Sequence, residues 1–229
     1  MKKAVFLLLF LTLVSLGSAQ MDGEGILVTG SGTVYGEPDL AVLDLGVNIV
    51  NDDLAAASDE ANEAIRSIIE ALTEAGVAEN DIRTAYYNIW REERFGPEGG
   101  ATETPQYRVT NTLIVTVREV ERAGELLSLS LSAGANTVGG IQYTFANPEE
   151  LAGEARELAM KNARAKAEQF ADLGGVTLGP VLMITDMPNN QTPGFPAAAR
   201  FEAAQSDVPV SGGQLAVSTS VQVRFALGE

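Results

Sequence analysis

The sequence predicts an α+β domain: a mostly antiparallel mixed sheet of about seven strands with three helices packed on it, one of them long and Ala-rich. Three observations predict it. Seven segments read as strands, several with the period-two alternation of a strand that buries one face. Three others repeat apolar or small residues at helical spacing and end at a glycine. Cysteine is absent, so no disulfide staples the fold and the packed core must hold it alone.

The first strand spans residues 25–34, where Ile26, Val28 and Val34 share a parity with Gly30 and Gly32 between them. Strand glycines mark a bulge or a close backbone approach. After the turn at residues 36–39 comes a strand at 40–50. Its Ala41, Leu43, Leu45, Val47 and Ile49 point one way, and the intervening residues form a more polar face. Asn51, Asp52 and Asp53 supply an N-cap for a helix over 54–75, whose stripe is Ala57, Ala61, Ala64, Ile65, Ile68 and Leu72. Strands follow at 82–90 and 107–118, separated by a polar, Gly- and Pro-bearing loop over 92–105. A second helix is predicted over 120–132 and a fifth strand over 137–145. Asn147-Pro148-Glu149-Glu150 then reads as a helix start: Asn147 at the N-cap, Pro148 at N1, and Glu150 reaching back in a capping box. That helix runs to about Asp172, with Ala152, Ala155, Ala159, Ala163 and Ala167 along one face, and Gly174 and Gly175 stop it. A sixth strand spans 181–185. Residues 187–213 carry four prolines and no clear period, with one or two helical turns at 197–204, and form a long connection. Residues 214–227 alternate again and return as a final strand.

The first nineteen residues have the three-part form of a secretory signal peptide. Lys2 and Lys3 precede an apolar run over 4–16, and small residues at 17–19 place cleavage after Ala19. The run is shorter than the roughly 20 residues a spanning helix needs, and no later segment is apolar enough to span a membrane. The chain therefore reads as a signal peptide (1–19) followed by a single domain (20–229), placed after cleavage in the periplasm, at the cell envelope, or secreted. Net charge is −16, and loss of Lys2 and Lys3 leaves 13 basic against 31 acidic residues, −18. Such a surface is repelled by phosphate backbones and anionic lipid heads, which argues against nucleic acid as a partner.

Histidine is absent along with cysteine. That removes thiol nucleophiles, Ser-His-Asp triads and Cys/His zinc sites. Gly30-Ser31-Gly32 fails as a nucleotide fingerprint, because a strand follows it and the third glycine is missing. Asn51-Asp52-Asp53 lacks the spaced ligands of a calcium loop, and neither Glu92-Glu93 nor Glu149-Glu150 reads as a catalytic dyad. The only lysines after the signal peptide, Lys161 and Lys166, lie on the long helix, where Glu157 and Lys161 are spaced as an i, i+4 pair. No catalytic, cofactor-binding or metal-binding residue is assigned, and no cofactor is predicted. The one candidate partner surface is the aromatic cluster Tyr86, Tyr87, Trp90 and Phe95 beside the 92–105 loop.

The order and spacing of several short motifs resemble those of the bacterial SIMPL-domain family of periplasmic immunogenic and oxidative-stress-defence proteins. They are Ile26-x-Val28-x-Gly30-x-Gly32, Pro38-Asp39-x-Ala41, Gly46-Val47, Gly76-Val77, Asp81-Ile82-x-Thr84, Tyr107-x-Val109-x-Asn111, Gly134-Ala135-Asn136, Gly140-Ile141, Ala155-Arg156 with Ala159 and Ala163, Lys166-Ala167, and Leu178-Gly179-x-Val181. The resemblance covers residues 25–225. It implies an α+β domain of the cell envelope that assembles into a ring-like, channel-like homo-oligomer, and it brings no catalytic residues. The 187–213 stretch is longer than the family's usual connection.

The resulting expectation is an exported, non-enzymatic protein. It forms a homo-oligomer, has other envelope proteins as further partners, and contributes to envelope integrity or oxidative-stress protection. The alternative is a ligand- or cation-binding module, or a carboxylate-based enzyme, built on Asp52, Asp53, Glu92 or Glu93. The two differ in whether those carboxylates converge on one concave site.

Overall fold

The structure, a computed structural model, describes residues 24–93, 105–187 and 212–228. Its elements in chain order are β1 (Ile26–Gly36), β2 (Leu40–Asn51), α1 (Leu54–Glu74), β3 (Ile82–Glu92), β4 (Gln106–Val117), α2 (Ala123–Ser132), β5 (Thr137–Thr144), α3 (Pro148–Gly174), β6 (Thr177–Met187) and β7 (Leu215–Gly228). Single 3-10 turns precede β3 and α2. The fold is α+β, as the sequence predicts, with one correction. The seven strands form two sheets, ordered β1-β7-β6 and β3-β4-β2-β5, and every pairing is antiparallel.

The helices explain why one sheet becomes two. Helix α1 buries Ala57, Ala61, Ile65, Ile68 and Leu72. They meet Leu43, Leu45, Val47, Val109, Leu113 and Val115 of the four-stranded sheet. Each fully buried Ile or Leu contributes roughly 1.5–3 kcal/mol, and such side chains hold helix and sheet well apart. Helix α3 buries only alanines, at 155, 159, 163, 167 and 171. It sits directly on β1 at Gly30 and Gly32. A Cβ on Gly30 would overlap the Ala159 carbonyl oxygen and stand 2.6 Å from the Ala163 nitrogen; one on Gly32 would overlap the Ala155 carbonyl oxygen. A backbone-to-backbone layer and a Leu/Ile-spaced layer have different thicknesses, so each helix takes its own sheet. Val28, Val221, Val223 and Phe225 with the α3 alanines form the second core. Leu215 and Val217 of β7, with Phe145 and Leu151, join the first.

Local chemistry sets the helix ends. Asp53 caps α1, its Oδ1 accepting from the Ala56 amide at 2.8 Å, and Asn51 Oδ1 in turn accepts from the Asp53 amide. The capping box expected before α3 is not formed. Asn147 makes no side-chain cap bond, and the preceding turn is held instead by Asp39, whose Oδ1 accepts from the Ala146 amide at 2.6 Å. Pro148, Glu149 and Glu150 still occupy the first turn of α3, where a fixed φ and negative charge suit a helix start. Gly174 belongs to α3, and Gly175, at φ 67°, makes the left-handed turn that ends it. The final strand is central to its sheet: among the described residues, β7 is the one strand paired with β1 on one side and with β6 on the other.

Edge β1 is covered in an unusual way. Ser31 N donates to Asn162 Oδ1 at 3.1 Å, and Lys166 Nζ donates to the Thr29 carbonyl at 2.8 Å, so two α3 side chains occupy backbone groups that a further strand would use. Lys166 is thus engaged with β1. Among the described residues, Glu157 and Lys161 do not close the expected i, i+4 pair. No helix among the described residues is long and apolar enough to cross a membrane. The expected signal peptide, the loop residues 94–104 and residues 188–211, with the helical turns expected at 197–204, lie outside the described residues.

Candidate interaction surface

Helices α1 and α2 cover one face of the four-stranded sheet; the other carries the candidate surface. On β4, the odd residues Val109, Asn111, Leu113, Val115 and Val117 are buried while the even residues face outward. Cross-strand register then places the aromatic residues. Tyr86 lies opposite Thr112, Asn88 opposite Thr110, Trp90 opposite Arg108 and Glu92 opposite Gln106, all on the outer face. Tyr87, opposite Asn111, and Ile89, opposite Val109, point to the helix side, where α1 packs on β2 and β4 and leaves them exposed. The sequence cluster is therefore split between two faces. Strand alternation alone puts the adjacent Tyr86 and Tyr87 on opposite faces, and the register shift between Thr84 and Tyr86 decides which of them faces out. It inverts the alternation, so Ile82 and Thr84 face the core while Tyr86 and Trp90, of the same parity, face out. Tyr86 is 48% and Trp90 55% exposed. Phe95 lies outside the described residues.

A hydrogen-bonded band surrounds the outward pair. Asn88 Nδ2 donates to Tyr86 Oη at 2.6 Å. Arg108 donates from Nε to Glu92 Oε1 at 2.6 Å, from Nη2 to Glu92 Oε2 at 3.2 Å, and from Nη1 to Asn48 Oδ1 at 3.0 Å. One guanidinium thus ties β3, β4 and β2 together beside Trp90. This bidentate bond holds the Glu92 carboxyl below the usual glutamate range and raises Arg108 further. Next along β2, Asn136 acts as a strand residue through its side chain. It accepts from Asn48 N at 2.7 Å and donates to Asn48 O at 3.1 Å, while its own amide donates to Gly46 O. The edge of β2 beyond β5 is thereby closed. Asn136 lay in a motif, but nothing in its spacing announced this role.

The carboxylates of the alternative reading occupy one end of this sheet, since Asn51 and Arg91 both lie opposite Tyr107. Asp53 is committed to the α1 cap and Glu92 to Arg108. Among the described residues, no group of three or more Asp and Glu is placed to hold a metal ion. Glu149 pairs with Arg156, which also reaches Asp186 of β6 at 3.8 Å. A concavity of about 160 Å³ lies elsewhere, lined by residues that include Val77, Asp81, Arg118, Arg122 and Leu126. Its two arginines are already bound, Arg118 to Asp81 and Arg122 to Glu125 and the Ala75 carbonyl at the end of α1. The Arg118 hydrogen bond lowers the Asp81 pKa. These are braces between elements and leave no free cation among the described residues that line the hollow.

Comparison with known proteins decides the family. The model of the SIMPL family, described as a protein of unknown function (DUF541), matches residues 26–225. The chain belongs to the SIMPL family. Among its SIMPL relatives, the 26 kDa periplasmic immunogenic protein of Brucella melitensis is 31% identical over 210 residues, covering 88% of this chain and 84% of the relative. The uncharacterized protein YggE of Escherichia coli K12 is 30% identical over 172 residues, covering 75% of this chain and 69% of the relative. YggE of Edwardsiella ictaluri is 29% identical over 193 residues. The SIMPL match spans both sheets, from the first residue of β1 to Phe225 near the end of β7.

Proposed function

We propose that this SIMPL protein is exported to the periplasm, acts without catalysis, and self-associates through the outer face of its four-stranded sheet. The observation that carries the reading is the exposed pair Tyr86 and Trp90, set on an edge strand and framed by the Arg108–Glu92–Asn48 network. Aromatic residues and arginine are the side chains that interfaces concentrate, and fixed rotamers lower the entropy cost of docking. The name of the Brucella relative supports a periplasmic location, as does the signal-peptide pattern of residues 1–19. Absence of histidine and cysteine, with carboxylates committed to a cap and an ion pair, supports a non-enzymatic role. A contribution to envelope integrity or oxidative-stress protection belongs to the same reading.

The test is the solution mass of the protein from Gln20 to Glu229, with a Tyr86→Ser/Trp90→Ser variant beside it. A discrete multiple of the monomer, reduced in the variant at an unchanged melting temperature, is expected. A monomer at micromolar concentration overturns self-association, and an oligomer indifferent to the variant moves it to another surface.

A further inference from the structure

Among the described residues the two sheets end in four edge strands, and three of these edges are protected. Strand β1 carries the Asn162 and Lys166 contacts from α3. Strand β6 contains Pro180, which has no N–H to give, and its register against β7 shifts twice. Strand β5 is short, with Gly140 at φ 141° and a register shift against β2. Strand β3 is the fourth edge. From Tyr86 to Glu92 its register against β4 is unbroken, and no described strand pairs with its other side. A long, regular edge without such a device is a template for a further strand.

The strand is complementary to itself. Two copies paired antiparallel about a two-fold axis set each residue opposite the one equally far beyond the centre. With Asn88 at the centre and Ala85 looped out at the register shift, Tyr86 meets Trp90 of the second copy, and Arg83 meets its Glu92. Symmetry makes each contact twice. All these side chains lie on the outer face, since Arg83 is opposite Ile114 as Tyr86 is opposite Thr112. Aromatic and opposite-charge pairs across antiparallel strands are pairs that stabilise a sheet. On the helix side, Tyr87 meets Ile89, and both are exposed. Arg83 makes no ion pair among the described residues. Arg108 holds both Glu92 oxygens, and each keeps a lone pair for Arg83. Centring on Tyr87 or Ile89 instead leaves Arg83 with no carboxylate opposite and separates Tyr86 from Trp90.

We propose that a second copy of this chain adds to the β3 edge, antiparallel and centred on Asn88, so that two four-stranded sheets become one continuous sheet across a two-fold axis. This pairing rests on the self-association proposed above and gives it an edge and a register.

The chain has no cysteine, so single cysteines report the register directly. Asn88→Cys faces its own copy across the axis, at the roughly 4.5–5.5 Å Cα separation of opposed antiparallel residues, which a disulfide spans. Thr110→Cys, its half-buried neighbour on β4, is the control. Its two copies stand three strand spacings apart, roughly 14 Å, beyond disulfide reach. Mild oxidation and non-reducing electrophoresis are expected to show a crosslinked dimer from Asn88→Cys and none from Thr110→Cys. Arg83→Glu, which sets like charges opposite each other twice, weakens association at least about threefold in light scattering. Edge pairing is overturned, with self-association through the outer face left standing, by any of three results in a wild type that associates. They are no crosslink in Asn88→Cys, an equal crosslink in Thr110→Cys, or unchanged association of Arg83→Glu. A wild-type monomer at micromolar concentration overturns both proposals.

Discussion

Gly30 and Gly32 are where single atoms decide most. Their missing side chains let α3 rest on β1, and Ala159 and Ala163 stand where a Gly30 Cβ would go. Gly30→Ala therefore lowers unfolding free energy by about 3 kcal/mol or more, because backbone rather than a flexible side chain must move. Urea denaturation measures it; a loss below about 0.5 kcal/mol would mean that α3 does not sit at this distance. Asn111 is the opposite case: it is buried in the first core with an unpartnered Oδ1. Asn111→Leu is expected to stabilise by about 1 kcal/mol in the same assay, since a polar group without an acceptor's partner is replaced by an apolar one of similar size. The strand glycines were legible in the sequence as a close approach. The orphaned amide was not, because satisfaction depends on what lies across the sheet.

Period and punctuation carry the elements well. All seven strands and three helices follow from alternation, apolar stripes, the Asp53 cap and the glycines after each helix. What they cannot carry is pairing. The division into two sheets follows from the difference between an all-Ala helix face and an Ile/Leu face. The split of Tyr86 from Tyr87 is simple alternation, but which of them faces out follows from a bulge after Thr84 that has no signature in the residues. Element ends also carry the pH response. Glu92 at the end of β3 has its folded pKa lowered by the Arg108 hydrogen bond. Its contribution is therefore fully present above the unfolded value, near 4.5, and is lost as pH falls through the lowered folded value. The melting-temperature gap between wild type and Glu92→Gln should accordingly be constant above about pH 5.5 and close as pH falls below 4.5. A gap that widens on acidification would contradict the pairing. Removing β7 has a larger effect. A chain ending before Gly213 leaves β1 and β6 without any strand partner and opens both cores, so it should show no cooperative melting by circular dichroism. An unchanged transition would refute β7 as the central strand.

At the scale of the molecule, two helix-backed sheets each have one face that no helix among the described residues covers. The four-stranded face is aromatic and braced by Arg108; the three-stranded face is hydroxyl-rich with a lone arginine. The first is the face proposed for self-association. Charge sets the conditions. At −18 for residues 20–229, copies repel one another at long range, so association strengthens as salt screens that repulsion. Multi-angle light scattering behind size exclusion, on residues 20–229 at micromolar concentration and 0.15 M salt, tests the proposed role most directly. A discrete multiple of the monomer mass that collapses toward one in Tyr86→Ser/Trp90→Ser is the predicted result. A wild-type protein that elutes as a monomer at every salt concentration would contradict it.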